Sequence, residues 1–180
     1  MKLYLMRHTQ SIGNEKQIID SRLDYGLSEK GKKQAENIVN VLEKYKFDIV
    51  ILSPLKRTQE TIEPFLQKHH VKVIVNNLTL ERDGGIFTGK NQDAFKEFCE
   101  KNKLERVSFR PEKGESILDV FERASKFMRY IRKTYKNESI FIVGHKNFLM
   151  CLEIALTGKD IMHYYSYKPL ENAEIREFHL

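Results

Sequence analysis

Several side chains that could bind or attack a phosphoryl group follow apolar stretches of the chain. In chain order they are Arg7, His8, Arg57, Glu81 and His145. Arginine offers paired and permanently charged N–H donors that match phosphate oxygens. A neutral imidazole is a competent nucleophile, and covalent catalysis divides one difficult displacement into two easier ones. These residue types predict phosphoryl chemistry, provided that the fold brings them together.

Each candidate has a specific chemical role in this hypothesis. The positive neighbours of His8 should lower its pKa and keep the ring unprotonated near neutral pH. His145, if protonated when phosphate is bound, could donate to an equatorial phosphoryl oxygen. Glu81 could give a proton to the leaving alkoxide and then take one from the attacking water. Asp83 lies two residues further on and is the second choice for this acid.

Apolar periodicity predicts strands that alternate with helices. The predicted strands cover residues 2–6, 47–53, 71–75, 139–144 and 173–180, and the predicted helices cover 28–45, 54–68, 117–131 and 148–156. The second helix is expected to use Ser53 as its N-cap and Pro54 as its first residue. This alternation predicts a three-layer α/β/α sandwich with a mostly parallel central sheet. Ligands of such sheets bind beyond the carboxyl ends of the strands, where the candidate residues lie.

The length and composition are those of one globular domain that spans residues 1–180. A lid-like insertion is expected around residues 86–112, within a stretch that lacks a clear apolar stripe. Two widely spaced cysteines and the absence of a signal-like or membrane-spanning stretch predict a cytoplasmic protein without membrane contact. The formal charge of +6 favours anionic partners but does not choose among phosphate esters, nucleic acid and lipid headgroups.

Six motifs in order along the chain resemble the histidine phosphatase superfamily, in its phosphoglycerate mutase-like branch. They are "RHTQSIGN" (7–14), "LSEKGKKQA" (27–35), "SPLKRTQET" (53–61), "LTLERDGGIFTG" (78–89), "PEKGES" (111–116) and "VGHKN" (143–147). A single Arg-His pair carries no weight, but six motifs in sequence over nearly the whole chain are specific. The resemblance implies a phosphoglycerate mutase-like fold.

The resemblance also implies a role for each site residue. His8 would be the phosphorylated nucleophile, and Glu81 would be the proton donor. Arg7, Arg57 and His145 would bind the phosphoryl group, and Asn14 would touch the phosphate or hold its loop. The substrate would be a small phosphorylated metabolite, and neither a metal ion nor another cofactor is expected. The activity implied is that of a metal-independent phosphomonoester phosphatase.

Two other functions stay open at this stage. A phosphoglycerate mutase-type phosphotransferase would use the same residues, but Gln10 replaces a glutamate of the family motif and therefore favours hydrolysis. A non-catalytic module that binds a phosphorylated ligand or nucleic acid is disfavoured, because nucleophile, arginines and acid are all present. The physiological substrate and the oligomeric state are left open.

Overall fold

A computed structural model describes residues 1–179 of the chain. Its central sheet contains the strands β1 (Lys2–Arg7), β2 (Ile49–Leu52), β3 (Lys72–Val75), β4 (Ser139–Gly144) and β5 (Ile175–His179). The strand order is β3-β2-β4-β1-β5, and only β5 runs antiparallel to its neighbour. The mostly parallel sheet predicted from the sequence is therefore confirmed, with β5 at one edge.

Helices cover both faces of this sheet. They are α1 (Ile12–Glu15), α2 (Glu29–Asn37), α3 (Val39–Leu42), α4 (Lys56–Leu66), α5 (Ala94–Lys101), α6 (Ile117–Thr134) and α7 (Lys146–Thr157), with 3₁₀ turns at Asn77–Thr79, Gly85–Phe87 and Ile161–Ser166. Alternate strand residues point to opposite faces. Leu3 and Leu5 of β1 accordingly join the core formed with α6 and α7, whereas Tyr4 and Met6 join the core formed with α3 and α4. The three-layer sandwich is confirmed.

The register between β1 and β4 determines which residues lie next to each other at the carboxyl ends of these two strands. Arg7 pairs with Gly144, and the backbone N–H of His8 donates to the Gly144 carbonyl over 3.1 Å. The residues that follow each strand, His8 and His145, must then lie side by side. Their ring centroids are 5.3 Å apart.

Two sequence predictions about helices were wrong in detail. The helix expected over residues 28–45 is two short helices, α2 and α3, separated at Ile38. The helix expected to begin at Pro54 begins at Lys56, and its N-cap is Leu55. Ser53 does not cap it, because the Ser53 hydroxyl is instead within 2.7 Å of His145 Nε2.

The chain between α4 and α6 contains the stretch predicted as a lid-like insertion. Residues 86–112, called here the 86–112 segment, include the end of a 3₁₀ turn and the helix α5. Phe87, Phe95 and Cys99 form a small core of their own within it. Among the helices of residues 1–179, none is long and apolar enough to cross a membrane.

Candidate active site

A cavity of about 520 Å³ opens beyond the carboxyl ends of the parallel strands. Its basic lining residues within the described chain are Arg7, Arg57, Arg82, Lys96, Arg106 and Lys146, and its acidic ones are Asp20, Glu81 and Asp93. The excess of positive charge suits an anionic ligand. Four of the predicted site residues, Arg7, Asn14, Arg57 and Glu81, therefore line one cavity, whereas His8 and His145 are buried and are not among its lining residues.

The ring of His8 is held in one tautomer by the backbone. His8 Nδ1 lies 2.7 Å from the Thr9 carbonyl oxygen, which can only accept, so Nδ1 carries the proton. Burial and the nearby guanidiniums of Arg57 and Arg7 hold the pKa of His8 well below the ordinary histidine value. The ring is therefore neutral, and the lone pair of Nε2 is free of any protein hydrogen bond within residues 1–179.

His145 is buried more completely and has protein partners at both ring nitrogens. Nδ1 accepts from Arg57 Nε over 3.2 Å, so the proton of the neutral ring lies on Nε2 and points to Ser53 Oγ at 2.7 Å. Burial and the charge of Arg57 hold its pKa well below the ordinary value. The sequence predicts that a protonated His145 donates to a phosphoryl oxygen. In this structure both ring nitrogens have protein partners, and the contact at Nδ1 orients the guanidinium of Arg57.

The two arginines differ in how many of their donors are free. Arg57 is only 1% exposed, and its Nη1 and Nη2 donate to the carbonyls of Leu23 and Ser21 over 2.9 and 2.8 Å. Arg57 thus holds the 20–24 loop against the site. Arg7 donates from Nη1 to the Leu170 carbonyl over 3.2 Å, whereas its buried Nε has no partner. Burial lowers the pKa of both groups, yet arginine stays charged in proteins.

Asn14 lines the cavity with its amide oriented by neighbours. Its Oδ1 accepts from the Ser11 N–H and from Asn172 Nδ2, at 3.3 and 3.2 Å. The Asn14 NH₂ group is left without a protein partner within residues 1–179 and can donate to an anion. Asn172 also donates to the His8 carbonyl over 2.7 Å, so that the segment before β5 supports both residues.

Glu81 reaches the cavity, and Asp83 does not. Glu81 is 8% exposed as a residue, and its carboxylate accepts from the backbone N–H groups of Arg82 at 2.7 Å and Asn147 at 3.3 Å. Asp83 accepts from the Gly85 N–H and forms an ion pair with Arg22 at 3.5 Å, outside the cavity lining. The structure therefore favours Glu81 as the candidate acid.

The backbone that carries Glu81 is fixed by Arg123. This side chain projects from α6 and donates to the carbonyls of Leu78 and Leu80 over 2.8 and 2.7 Å. It also pairs with Glu115 at 2.9 Å, and the Glu115 carboxylate accepts from the Asp83 N–H. A partly buried network whose members all have partners holds the acid in one position.

Gln10 and Thr9 lie away from the cavity. The Gln10 side chain accepts from the Ser28 hydroxyl over 2.8 Å, and the Thr9 hydroxyl lies 3.2 Å from that of Thr61. Neither residue lines the cavity. The prediction that Gln10 favours hydrolysis over transfer therefore gains no support from a contact of its side chain with the cavity.

A close backbone approach explains the glycine of "LSEKGKKQA". A Cβ on Gly31 would lie 1.9 Å from the Gln10 carbonyl oxygen. That carbonyl also accepts from the Ser28 N–H over 3.0 Å, which joins the loop after His8 to the first turn of α2. Gly31 thus lets α2 pack directly against the loop that carries the candidate nucleophile.

Sequence reasoning missed four residues that support the site: Ser53, Glu115, Arg123 and Asn172. Ser53 was predicted to be a helix N-cap, and Asn172 lies just before the strand predicted over residues 173–180. Arg123 lies between the apolar positions of α6, where a charged residue is ordinarily solvated. The hydrogen-bond partners of these four residues lie on other elements, so they become visible only once the elements are packed together. Within residues 1–179, no three His, Cys, Asp or Glu side chains are placed to share a metal ion.

Comparison with known proteins shows the family of this chain. A sequence profile of the histidine phosphatase superfamily (branch 1) matches residues 3–180. Phosphoserine phosphatase 1 of Hydrogenobacter thermophilus is 30% identical over 100% of this chain and 87% of its own length. A 2,3-bisphosphoglycerate-dependent phosphoglycerate mutase of Bartonella quintana is 31% identical over 87% of this chain and 81% of its own.

The fold is shared with a solved phosphatase structure. A mycobacterial glucosyl-3-phosphoglycerate phosphatase aligns with a TM-score of 0.85 and 22% identity, over 98% of this chain and 88% of its own. The family match covers nearly the whole chain and includes every candidate site residue. The non-catalytic binding module considered from the sequence therefore finds no support. The chain belongs to branch 1 of the histidine phosphatase superfamily and is an enzyme that hydrolyses phosphate esters.

Proposed function

We propose that this enzyme hydrolyses phosphomonoesters of small metabolites through a phosphohistidine on His8, without a metal ion or another cofactor. The observation that carries the proposal is the tautomer of His8. Its Nδ1 proton is bound to the Thr9 carbonyl, and its pKa is lowered well below the ordinary value. Nε2 is then an unprotonated nucleophile at neutral pH. His8 also keeps 3% of its surface exposed, whereas His145 keeps none.

In the first step, the Nε2 lone pair forms a bond to phosphorus as the ester P–O bond breaks. The leaving alkoxide takes a proton from the carboxyl group of Glu81. Arg7, Arg57 and the Asn14 amide supply N–H donors to the phosphoryl oxygens. Arg57 is already oriented by His145, Ser21 and Leu23, so little reorganisation accompanies the charge redistribution.

In the second step, water attacks the phosphohistidine. The Glu81 carboxylate takes the water proton, the P–N bond breaks and its electron pair returns to Nε2. Inorganic phosphate leaves, and His8 and the protonated Glu81 are both restored for the next turnover. The 86–112 segment supplies Phe87, Phe95 and Lys96 to the cavity wall, and we propose that it acts as a lid over the bound substrate.

The test is to trap and locate the phosphoenzyme. Protein is mixed with O-phosphoserine or p-nitrophenyl phosphate in EDTA between about pH 5 and 8, bracketing the ordinary histidine pKa. We expect phosphate release together with an acid-labile phosphoprotein mapped to His8, both absent from His8→Ala. His69→Ala is the control, since His69 is a half-exposed residue paired with Glu43 and lies outside the cavity. Phosphate on another residue, or activity that EDTA abolishes, contradicts the proposal.

Transfer to a second substrate hydroxyl is the other candidate reaction, because the mutase of Bartonella quintana is 31% identical over 87% of this chain. The two outcomes share the first step and differ in the acceptor. Phosphorus NMR of the enzyme with 3-phosphoglycerate separates them. Inorganic phosphate as the main product supports hydrolysis, and 2-phosphoglycerate formed faster than phosphate supports transfer.

A further inference from the structure

We propose that Ser21 is a positioning residue for the reaction. It joins the candidate phosphate-binding residue Arg57 to residues 81–84, called here the acid loop because they begin with Glu81. This inference rests on the proposed function, since it concerns how the proton donor is aligned with the bound phosphoryl group. Ser21 lies in the 20–24 loop, lines the cavity and is 4% exposed. It acts through its neighbours and takes no part in making or breaking bonds.

Ser21 accepts hydrogen bonds from two separate parts of the site. Its backbone carbonyl accepts from Arg57 Nη2 over 2.8 Å, and its side-chain Oγ accepts from the backbone N–H of Gly84 over 2.8 Å. Both contacts are buried. Arg57 belongs to α4, whereas Gly84 lies at the end of the acid loop. One residue therefore connects a candidate phosphoryl-binding group with the loop that carries the candidate acid.

The backbone of Ser21 adopts a conformation that most side chains disfavour. Its φ of 51° lies in the left-handed region, which glycine adopts freely and serine does not. Such a conformation persists only where the surrounding contacts outweigh its cost. A glycine at this position would relieve the strain, but the buried N–H of Gly84 would lose its acceptor. The hydroxyl of Ser21 is therefore the feature that accounts for a serine at a backbone position suited to glycine.

The next residue contacts the same loop from a more exposed position. Arg22 Nε donates to the Glu81 carbonyl over 3.3 Å, and its guanidinium forms ion pairs with Asp83 at 3.5 Å and Glu115 at 3.0 Å. The Arg22 side chain is 36% exposed, so solvent weakens these ion pairs. The buried hydrogen bond to the Ser21 hydroxyl is accordingly the connection that we expect to matter most.

The test removes the hydroxyl in two variants that differ in their backbone strain. Ser21→Ala and Ser21→Gly both delete the acceptor of the Gly84 N–H, but only the glycine relieves the left-handed φ. In single-turnover experiments, both should slow phosphoenzyme formation from O-phosphoethanolamine by about 10-fold, as for one lost buried hydrogen bond. Phosphoenzyme formation from p-nitrophenyl phosphate should slow by less than about 3-fold, because nitrophenolate leaves without a proton.

A double-mutant cycle shows whether Ser21 acts through Glu81. In a Glu81→Gln protein, Ser21→Ala should slow the reaction of O-phosphoethanolamine by less than about 2-fold further, since the acid that it positions is already absent. Losses that multiply in the double variant, or equal losses with both esters, overturn the proposal. Wild-type rates in both Ser21 variants would also overturn it, because the contacts of Arg123 would then suffice to place the acid loop.

Lys103 provides the matched control for backbone strain. Its φ is 52°, but it is exposed at the end of α5 and lies outside the cavity lining. Lys103→Gly should be more stable to urea than Lys103→Ala, as Ser21→Gly should be compared with Ser21→Ala. Both Lys103 variants should keep the wild-type rates with both esters. If the rates follow the choice of glycine or alanine at Ser21 instead of the loss of its hydroxyl, the proposal is wrong.

Hydrogen exchange of the Gly84 amide separates this inference from the proposed function, because it requires no turnover. By NMR, exchange should be about 10-fold faster or more in Ser21→Ala than in the wild type. Saturating inorganic phosphate should slow exchange in the wild type, and this slowing should be lost in Ser21→Ala. Those two results support the connection even if Glu81→Gln shows that another group is the acid. Unchanged exchange in Ser21→Ala refutes the connection even if Glu81 proves to be the acid.

Discussion

The two ends of the cavity hold their cations by different interactions. At the sheet end, Arg57 is surrounded by carbonyl and imidazole acceptors, and every one of its guanidinium nitrogens has a protein partner. At the end formed by the 86–112 segment, Arg82 and Arg106 rest on aromatic rings and each keeps a buried nitrogen without an acceptor. The first arrangement fixes a guanidinium through hydrogen bonds at all of its nitrogens, whereas the second holds the guanidiniums through ring faces and leaves buried donors unsatisfied.

The apolar cores that support the two ends of the cavity differ in size. The strands that carry His8 and His145 lie at the centre of the sheet, between the two large apolar cores. The 86–112 segment has only the small core of Phe87, Phe95 and Cys99 beneath it. A region with few buried apolar contacts opens at a lower free energy than the main core. The difference predicts that the 86–112 segment opens at a lower free energy than the strands that carry His8 and His145.

The largest expected effect concerns Glu81, which lines the same cavity. Glu81→Gln should slow phosphorylation of His8 by an alkyl phosphate by about 100-fold or more, because a poor leaving group needs the proton. Phosphorylation by p-nitrophenyl phosphate should slow by less than about 10-fold, since nitrophenolate leaves without one. Single-turnover rates of phosphoenzyme formation isolate this step from hydrolysis of the intermediate.

Asp83→Asn is the control for that measurement, since Asp83 lies two residues away and outside the cavity. Its rates should match those of the wild type with both esters. If Asp83→Asn shows the leaving-group dependence and Glu81→Gln does not, the acid has been assigned to the wrong residue.

The rigidity of the sheet end can be tested at Gly31. Gly31→Ala should lower the free energy of unfolding by about 2–4 kcal/mol, because the new Cβ would lie 1.9 Å from the Gln10 carbonyl oxygen and backbone must move. Lys33→Ala, at an exposed position of the same helix, should have little effect or a slightly stabilising one. Urea unfolding of the two variants gives the comparison, and equal stabilities would show that the close approach is easily relieved.

The buried histidines predict how stability depends on pH. The pKa values of His8 and His145 are lowered in the folded state, so between those values and the ordinary value near 6.5 the unfolded chain binds more protons. Above about pH 6.5 both rings are neutral in the folded and the unfolded chain, and they cause no pH dependence. As the pH falls below this value, the free energy of unfolding decreases by up to about 1.4 kcal/mol per pH unit for each ring.

Urea midpoints measured from pH 8 down to pH 5 test this dependence. The slope below pH 6.5 should decrease in His8→Gln and in His145→Gln, and it should be unchanged in His69→Ala. A slope that is the same in the wild type and in both site variants would show that the rings are charged in the folded protein.

The smallest effect is expected at the other end of the cavity. Phe95→Leu should cost about 1 kcal/mol or less, because the side chain belongs to a small core at the surface and the change is nearly conservative in volume. Hydrogen exchange should nevertheless quicken for amides of α5 while those of β4 are unaffected. Equal changes in both elements would show that the 86–112 segment and the sheet unfold as one unit.

Much of the fold could be predicted because its elements are strongly patterned. The apolar runs of β1, β2 and β4 and the long stripe of α6 identify buried strands and an amphipathic helix with little ambiguity. The prediction of a cap at Ser53 was wrong for a physical reason. A serine before a proline is typical of a helix start, but a buried imidazole at 2.7 Å offers its hydroxyl a partner from 92 residues away. Local propensity carries no information about such a partner.

For the candidate site too, some properties follow from the sequence and others only from the tertiary structure. The types of Arg7, His8, Arg57, Glu81 and His145, and their positions after apolar stretches, follow from the sequence because chemistry limits which residues can handle a phosphoryl group. The choice of Glu81 over Asp83 depends on which carboxylate faces the cavity, and the tautomer of His8 depends on the Thr9 carbonyl. The free donors of Arg82 and Arg106 follow from stacking on rings distant in sequence. Those properties arise from distances between separate segments, which only the folded chain determines.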